Sequence, residues 1–237
     1  MDFAGRHVII TGGAGALGTA VTGLLLEAGA HCRIPYRHAA DAERFAYRSH
    51  ERVAMIGDSD LADEAAVTRL YDGVPSLWAS IQLAGGFAAA PFARTSKTDF
   101  TAQIETNLTS CFLCCREAVR AMQRSGPEGA NGGRIVNVAA RPALEWRSGA
   151  GMAAYTAAKA GVAALTAALA EEVAKNGILV NAVAPSIMDT PANRKAMPKA
   201  DFDAWPKVEE VAATIAFLAS PDNRVSRGGI VPVYGKS

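Results

Sequence analysis

Charge of either sign is in short surplus: 24 Lys and Arg stand against 23 Asp and Glu, a formal +1 with no concentrated patch. Without a basic face there is no footprint for nucleic acid or for an anionic membrane, so the expected partner is a small molecule. Metal-ligand material is scarce too. The four cysteines are Cys32, Cys111, Cys114 and Cys115, and the last three form a C-x-x-C-C cluster in an apolar helical stretch. No second C-x-x-C and no histidine pair completes a tetrahedral site, so they read as small buried hydrophobes and no metal is expected. No apolar run reaches the length that spans a bilayer, and the start, MDFAGRHVIITGG, has neither the basic n-region nor the small-residue cleavage site of a secretory signal. A cytoplasmic protein with no membrane partner is the expectation. Low-complexity stretches and internal repeats are missing as well.

What is present is ordinary globular material. A chain of 237 residues, 50% hydrophobic and 20% charged, buries a sizeable core, and one domain over residues 1–237 is the simplest arrangement. Short β-branched runs alternate with longer amphipathic stretches. RHVII precedes a helix from about Ala16, HCRIPY precedes DAERFAYRSH, RVAMI precedes DEAAVTRLYDG, and WASIQLAGG precedes one long helix, DFTAQIETNLTSCFLCCREAVRAMQRSG. Then GRIVNVA leads into a helix over 152–175, ILVNAVA into KVEEVAATIAFLAS, and GGIVPVYG closes the chain. Strands this apolar have no wet face, so the pattern implies a parallel sheet covered by helices on both sides. Two stretches are irregular: SGPEGANGG, expected as a surface loop, and residues 185–205, PSIMDTPANRKAMPKADFDAW, rich in proline and mixed polarity. Long loops at strand ends of α/β sheets serve ligands, which makes 185–205 a candidate substrate loop.

Directly after the first strand comes TGGAGALG, residues 11–18, opening a helix. Glycines there let backbone approach a pyrophosphate, whose charge is met by the free N–H groups at the helix start. Gly13, Gly15 and Gly18 satisfy G-x-G-x-x-G, a pattern weak alone and stronger in this strand-to-helix context. At the end of strand two, about twenty positions on, a carboxylate favours NAD by holding ribose hydroxyls, whereas an arginine accommodates a 2′-phosphate. This chain offers Tyr36, Arg37 and His38. With no acid there to repel a phosphate, NADP(H) is the preferred cofactor and NAD(H) the alternative.

Tyr155 and Lys159 stand at i and i+4, on one helix face, where an ammonium lowers a phenol's pKa from about 10 and lets it trade a proton with substrate.

Together these motifs make the chain similar to the short-chain dehydrogenase/reductase family. That resemblance implies a Rossmann-type doubly wound α/β domain with seven parallel strands in the order 3-2-1-4-5-6-7. It also implies Tyr155 and Lys159 as catalytic groups, with Asn107 in ETNLTS holding a water beside the lysine. The cofactor residues it implies are Gly12, Gly15, Ala16, Leu17 and Gly18 in the first loop and Asp60 and Leu61 in DLADEAAV. Ala84, Gly85 and Gly86 in LAGG follow, then Pro185, Ile187 and Thr190 in PSIMDT, with Arg37, Tyr155 and Lys159. Departures are plain: Ala16 replaces a motif glycine, Gln82 and Leu83 replace the usual asparagines, and Ser186 stands where glycine is common. Alignment of GRIVNV puts Ala140 at the position of the family's substrate-binding serine. Losing one such preorganised donor costs on the order of a hundredfold in rate, so either the enzyme is weakened or its substrate does not need that donor. Ser148, in the loop before Tyr155, replaces it only if the backbone folds back.

The dihydropteridine reductase branch shares that absence. The chain resembles it in Gly85-Gly86-Phe87, in Ala139-Ala140-Arg141, and along Asp189, Thr190, Pro191, Asn193, Arg194, Met197, Pro198, Ala200, Asp201, Phe202 and Trp205. Reduction of a conjugated, imine-like ring needs a proton donor more than a clamp on a ketone oxygen. Phe87, Ala140 and Trp146 are candidate substrate contacts, the aromatic pair and Trp205 supplying flat apolar walls. Against the full likeness, that branch carries an acid at the end of strand two and prefers NADH. The expected function is therefore hydride transfer between NADP(H) and a small, planar carbonyl or dihydropterin-like substrate. The alternatives are an ordinary ketone or alcohol dehydrogenase of the same fold, or a dinucleotide-binding sensor that has lost catalysis. The apolar helices at 99–124 and 152–175 look fit to pair across a two-fold axis, so a homodimer or homotetramer is expected.

Overall fold

The computed structural model describes residues 1–124 and 132–237, so nearly all of SGPEGANGG lies outside the described residues. The apolar runs form β1 (His7–Thr11), β2 (His31–Pro35), β3 (Val53–Ile56), β4 (Leu77–Gln82), β5 (Gly133–Val138), β6 (Ile178–Pro185) and β7 (Ile230–Val233). All neighbours pair in parallel, and the 7-stranded sheet runs β3-β2-β1-β4-β5-β6-β7, the order the family resemblance implies. Because the chain leaves β3 at one edge and re-enters as β4 beside β1, a crevice opens at the carboxyl ends of β1 and β4.

The helices are α1 (Ala16–Glu27), α2 (Ala39–Arg44), α3 (Glu64–Asp72), α4 (Lys97–Ile104), α5 (Ser110–Arg124), α6 (Arg141–Leu144), α7 (Ala153–Glu172), α8 (Pro191–Ala196) and α9 (Val208–Ala219). Side chains alternate across each strand, and the strands feed two cores accordingly. Val8, Ile10, Ile34, Ile81 and Val136 meet Val21 and Leu25 of α1 and Val211 and Ile215 of α9. Ile9, Leu77, Ile135 and Val180 meet Val67 and Leu70 of α3, the three helical cysteines of α5 and Val162 of α7. Cys111, Cys114 and Cys115 are thus buried packing residues; burial pushes the Cys114 thiol far above its ordinary range, and a hydrogen bond with Cys111 together with burial does the same for Cys115.

Three local readings need correction. The second helix stops at Arg44 rather than running to His50, because Phe45 turns into the core and meets Tyr47 edge-on, the ring centroids 5.8 Å apart. The long helix expected from Asp99 is broken by one π-helical turn, Glu105–Thr109, which inserts a residue and turns Asn107 inward. Lastly, α7 is long and apolar enough to cross a bilayer by length and composition, where no such run was expected. Its alanine-rich sequence packs against β5 and β6 instead, burying Ala154, Ala158, Lys159, Val162, Thr166 and Ala170.

Candidate active site

The loop between β1 and α1 is shaped by close backbone approach. Gly12 has φ +66°, and a Cβ there would sit 2.8 Å from the Ala84 amide nitrogen, so the β1 and β4 loops touch through their main chains. Gly18 is buried beneath the loop, where a Cβ would lie 2.3 Å from the Gly12 carbonyl. Its lack of a side chain lets α1 pack directly under the loop. Gly15 caps α1 without any side-chain bond, and the first turn carries no acid, so the helix start presents bare N–H groups and partial positive charge. Ala16 is exposed there, while the Leu17 side chain is buried in the core, leaving only its backbone for a ligand.

From this loop a cleft of about 710 Å³ extends over β2 and β3. It is lined by Gly12 and Gly15, by Arg37, Asp60 and Leu61, by Ala84 and Gly85, and on its far wall by Glu105, Thr106 and Ser110. Arg37 is exposed and approaches Asp60, Nη2 to Oδ2 3.6 Å, so the cation proposed for a 2′-phosphate already has a carboxylate neighbour. Asp60 in turn accepts from the Ala62 amide at 3.0 Å.

The β4 loop is held from both sides. Thr11 Oγ1 donates to Gln82 Oε1 at 3.1 Å and accepts from the Ala84 amide at 3.3 Å, while Gln82 Nε2 donates to Ser80 Oγ at 2.7 Å. Gln82, a departure from the family pattern, thus anchors the loop through its own amide, and sequence reasoning missed Thr11 and Gln82 as positioning groups. Their signal was polarity at the ends of two buried strands. Asn107, presented by the π turn and fully buried, closes the other side. Its Oδ1 accepts from the Gly86 amide at 3.1 Å, and its Nδ2 donates to the carbonyls of Gly86 and Gln103, each at 3.0 Å. The Asn107 side chain thus clamps the backbone of the β4 loop to that of α4. A Cβ on Gly85 would meet Asn107 Oδ1 at 2.7 Å and Lys159 Nζ at 3.3 Å, so both polar groups converge on this glycine.

The next residue after the clamped glycine, Phe87, lies edge-on to Tyr155 with centroids 5.1 Å apart and 82° between planes. Lys159 is buried, donates to the Val138 carbonyl at 2.8 Å, and holds Nζ 6.0 Å from the Tyr155 ring centroid. Burial pushes Tyr155 up to about 12 and Lys159 down to about 8.

Ala140, at the end of β5, is buried and begins α6 with no side-chain cap. Ser148 does not replace the missing hydroxyl, since its Oγ donates to the Glu145 carbonyl at 2.7 Å. Trp146 is 74% exposed, pinned by Nε1 to the Ala143 carbonyl at 3.0 Å. It borders a hollow with Ala153, Thr156, Ala157 and Ala160, the flank of α7 opposite Tyr155 and Lys159.

Residues 185–205 fold into α8 and a 3₁₀ turn rather than open coil. Asp189 ties them together, accepting from Arg194 Nη2 at 2.8 Å and from Lys207 Nζ at 2.6 Å; these bonds hold its carboxyl well below the usual range. Thr190 Oγ1 caps α8 by accepting from the Asn193 amide at 3.2 Å, Pro185 ends β6, and Ile187 is left exposed. Trp205 is buried against Phe202, ring centroids 5.0 Å apart, so it is core and not a substrate wall.

Comparison with known proteins follows the same outline. A family model for short chain dehydrogenases matches residues 6–201. The cis-4-hydroxycyclohexanecarboxylate dehydrogenase of Sinomonas cyclohexanicum is 36% identical over 98% of this chain and 96% of its own. The galactitol 2-dehydrogenase of Rhizobium johnstonii is 33% identical over 97% of this chain and 93% of its own. Among solved structures, ElxO with NADP bound superposes with a TM-score of 0.85 at 26% identity, covering 97% of each chain. The crystal structure of gox2181 gives 0.89 at 27% identity, covering 99% of this chain and 96% of that one.

Proposed function

We propose, from the premise that the chain belongs to the short-chain dehydrogenase family, that it is an NADP(H)-dependent oxidoreductase acting on a small, flat or cyclic substrate with Tyr155 as acid and base. The observation that carries this reading is the convergence of Tyr155, Lys159 and the Asn107-clamped Gly86–Phe87 segment at the mouth of the cleft.

The dinucleotide fits what is there. The positive φ of Gly12, the uncapped start of α1 and a cleft long enough to cross β2 and β3 are what a pyrophosphate and an adenosine need. Gly12, Gly15 and the backbone of Ala16 and Leu17 would hold the phosphates, Asp60 and Leu61 the adenine, and Arg37 a 2′-phosphate. Ala84, Gly85, Gly86, Pro185, Ile187 and Thr190 would border the nicotinamide half. NADP over NAD is supported by Arg37 and by the NADP held in the ElxO structure. When bound, the nicotinamide supplies or accepts the hydride.

Tyr155 gives its proton to the substrate oxygen or nitrogen in the reducing direction and takes it back in the other. A phenol pushed up to about 12 by burial stays protonated throughout the neutral range, which suits an acid. Lys159 spends one N–H on Val138 and keeps two for the ribose and the phenol. Asn107, through Gly86, fixes where Phe87 and the cofactor loop stand.

A dihydropterin-like substrate is the narrower form of this proposal, supported by Ala140 and by the sequence of the 185–205 loop. A second reading, a secondary alcohol or ketone on a ring, is favoured by the 36% identical hydroxycyclohexanecarboxylate dehydrogenase. A pure sensor has no use for the retained Tyr155, Lys159 and Asn107. Consumption of NADPH and NADH against a panel of cyclic ketones and dihydropterins decides among them: turnover of neither class, with cofactor still bound, leaves the sensor. We include self-association in the proposal, through the alanine-rich outer flank of α7 beside Trp146, where sedimentation should show dimers or tetramers.

A further inference from the structure

At the end of the sheet opposite the cleft, the amino-terminal edge of β1, β2 and β3 encloses a hollow of about 210 Å³ that the oxidoreductase reading does not use. His7 and His31 are paired residues of β1 and β2, and their rings stack with centroids 5.1 Å apart and 28° between planes. Arg33 and Arg52 line the same hollow, with Glu51 as the acid among its lining residues. Among the described residues neither guanidinium has a carboxylate within 4.0 Å, whereas Arg37, Arg44, Arg116, Arg120 and Arg194 all do.

Arg33 is the more telling of the two. Its Nη1 donates to the Gly73 carbonyl at 3.0 Å, yet its Nε is buried and meets no acceptor of the chain. A buried charged donor left unpaired is costly, and guanidinium N–H groups set side by side match the oxygens of a tetrahedral anion. The guanidinium lies flat on the turn after α3 because residue 73 is glycine: a Cβ there would sit 2.7 Å from Nη2.

We propose that this hollow is a second binding site, for a small oxyanion of the sulfate or phosphate type, held by Arg33 and Arg52 and capped by the His7–His31 pair. Every charged group facing it bears on its pH dependence. His7 comes from β1, His31 and Arg33 from β2, and Glu51 and Arg52 from the approach to β3. Nearby Asp72 is engaged by Arg124 at 3.6 Å, and Arg6 lies over the Trp78 ring, so neither is free to compete. Burial and the neighbouring His31 hold His7 below its ordinary pKa, and an anion beside that ring favours its protonated form. Affinity therefore rises as pH falls.

Sulfate is the probe, because it keeps its double charge across the range in which histidine titrates. The titration is followed by the imidazole proton resonances of the four histidines, with the dinucleotide cleft occupied by saturating nicotinamide cofactor. Sulfate should shift His7 and His31 in one saturable phase while His38 and His50 stay put, binding about tenfold tighter near about pH 5.5 than near about pH 8. Arg33→Gln should weaken it at least about tenfold. Gly73→Ala, at φ −85° where alanine fits, should displace the guanidinium without removing its charge and weaken binding too, which keeps the test decisive if Arg33→Gln does not fold. Turnover is expected to be unaffected by either change. Unmoved His7 and His31 resonances, or equal sulfate affinity in a folded variant, would overturn the proposal.

Discussion

Phe87 stands edge-on over Tyr155, 5.1 Å between centroids and 82° between planes, and it is the residue immediately after a glycine that Asn107 grips by both its N–H and its carbonyl. The three are one mechanical unit. The π turn sets Asn107, Asn107 sets Gly86, and Gly86 sets the ring that packs edge-on against Tyr155. Burial moves the phenol up to about 12, with Lys159 Nζ standing 6.0 Å from its ring centroid.

Tyr155→Phe deletes the hydroxyl proposed as the proton donor and keeps the ring that Phe87 packs on. Turnover should fall by about 10²–10⁴, the usual worth of a positioned acid or base, with cofactor affinity changed by less than about twofold. Stopped-flow rates and a fluorescence titration check both halves, and a variant at parental rate would hand the proton to another group.

The two directions of reaction should part with pH. Reduction needs the protonated phenol, which persists far above neutrality, and should stay level until Lys159 loses its charge near about 8. Oxidation needs the phenolate and should keep rising. Lys159→Met should remove the break near about 8 in the reducing direction and weaken cofactor binding. The stability linkage has a definite sign: the folded lysine titrates near about 8 and the unfolded one near 10.5, so between those values the unfolded chain binds more protons. Stability from this group therefore rises across that window and the cost of charging it is complete below it. Lys159→Met should flatten that rise in denaturant midpoints measured from about pH 8 to about pH 10.5.

Much of this was legible in the residues because the two periodicities of an α/β chain are hard to mistake. Seven apolar runs predicted seven strands, and their order came from the family likeness. The failures are all places where one side chain chose a direction that spacing does not reveal. Phe45 ended a helix by turning inward, and Trp146 points to the outer flank of α7 although it sits only nine positions before Tyr155. The polarity of Gln82 read as a departure from the family pattern and turned out to be an anchor. The π turn had no sequence period to announce it, since a single inserted residue in a long helix leaves the pattern on either side intact.

Asn107→Ala strips the half-buried Gly86 of both side-chain partners, which water can partly replace, so urea unfolding should show a loss of about 1 kcal/mol. The loss of activity should fall on kcat as well as KM, because the loop carrying Gly85, Gly86 and Phe87 is no longer fixed. Asn107→Asp keeps the acceptor for the Gly86 amide but loses the two donated bonds, so it should be intermediate in stability. Equal behaviour of all three proteins would reduce the clamp to a bystander.

NADPH should bind at least about tenfold tighter than NADH, about 1.4 kcal/mol, which one charge-assisted contact from Arg37 is able to supply. Arg37→Ala should erase the difference. The approach of Asp60 to Arg37 adds a second expectation: Asp60→Asn removes the competing carboxylate and should widen the preference for NADPH. Dissociation constants for both cofactors in the three proteins test it, and a preference for NADH in the parent would sink it.

Ala140→Ser restores a hydroxyl at a buried position that begins α6, and a buried hydroxyl must find a partner. Two are within its local reach. It shares the Ala143 amide, which already donates to the Ala140 carbonyl at 2.8 Å, as a helix cap that would raise stability by less than about 1 kcal/mol, or it donates to a substrate oxygen. If the natural substrate is a ketone or alcohol, the donor recovers part of what the alanine gave up, and kcat/KM on cyclic ketones should rise about tenfold or more. If the substrate is dihydropterin-like, the hydroxyl meets a ring where a methyl group now packs, and pterin reduction should stay level or fall while the melting temperature still rises. Measuring stability beside the two activities separates the outcomes: a gain on ketones with no dihydropterin turnover discards the pterin form of the proposal, and a gain in stability with both activities flat shows a serine spent entirely on capping the helix.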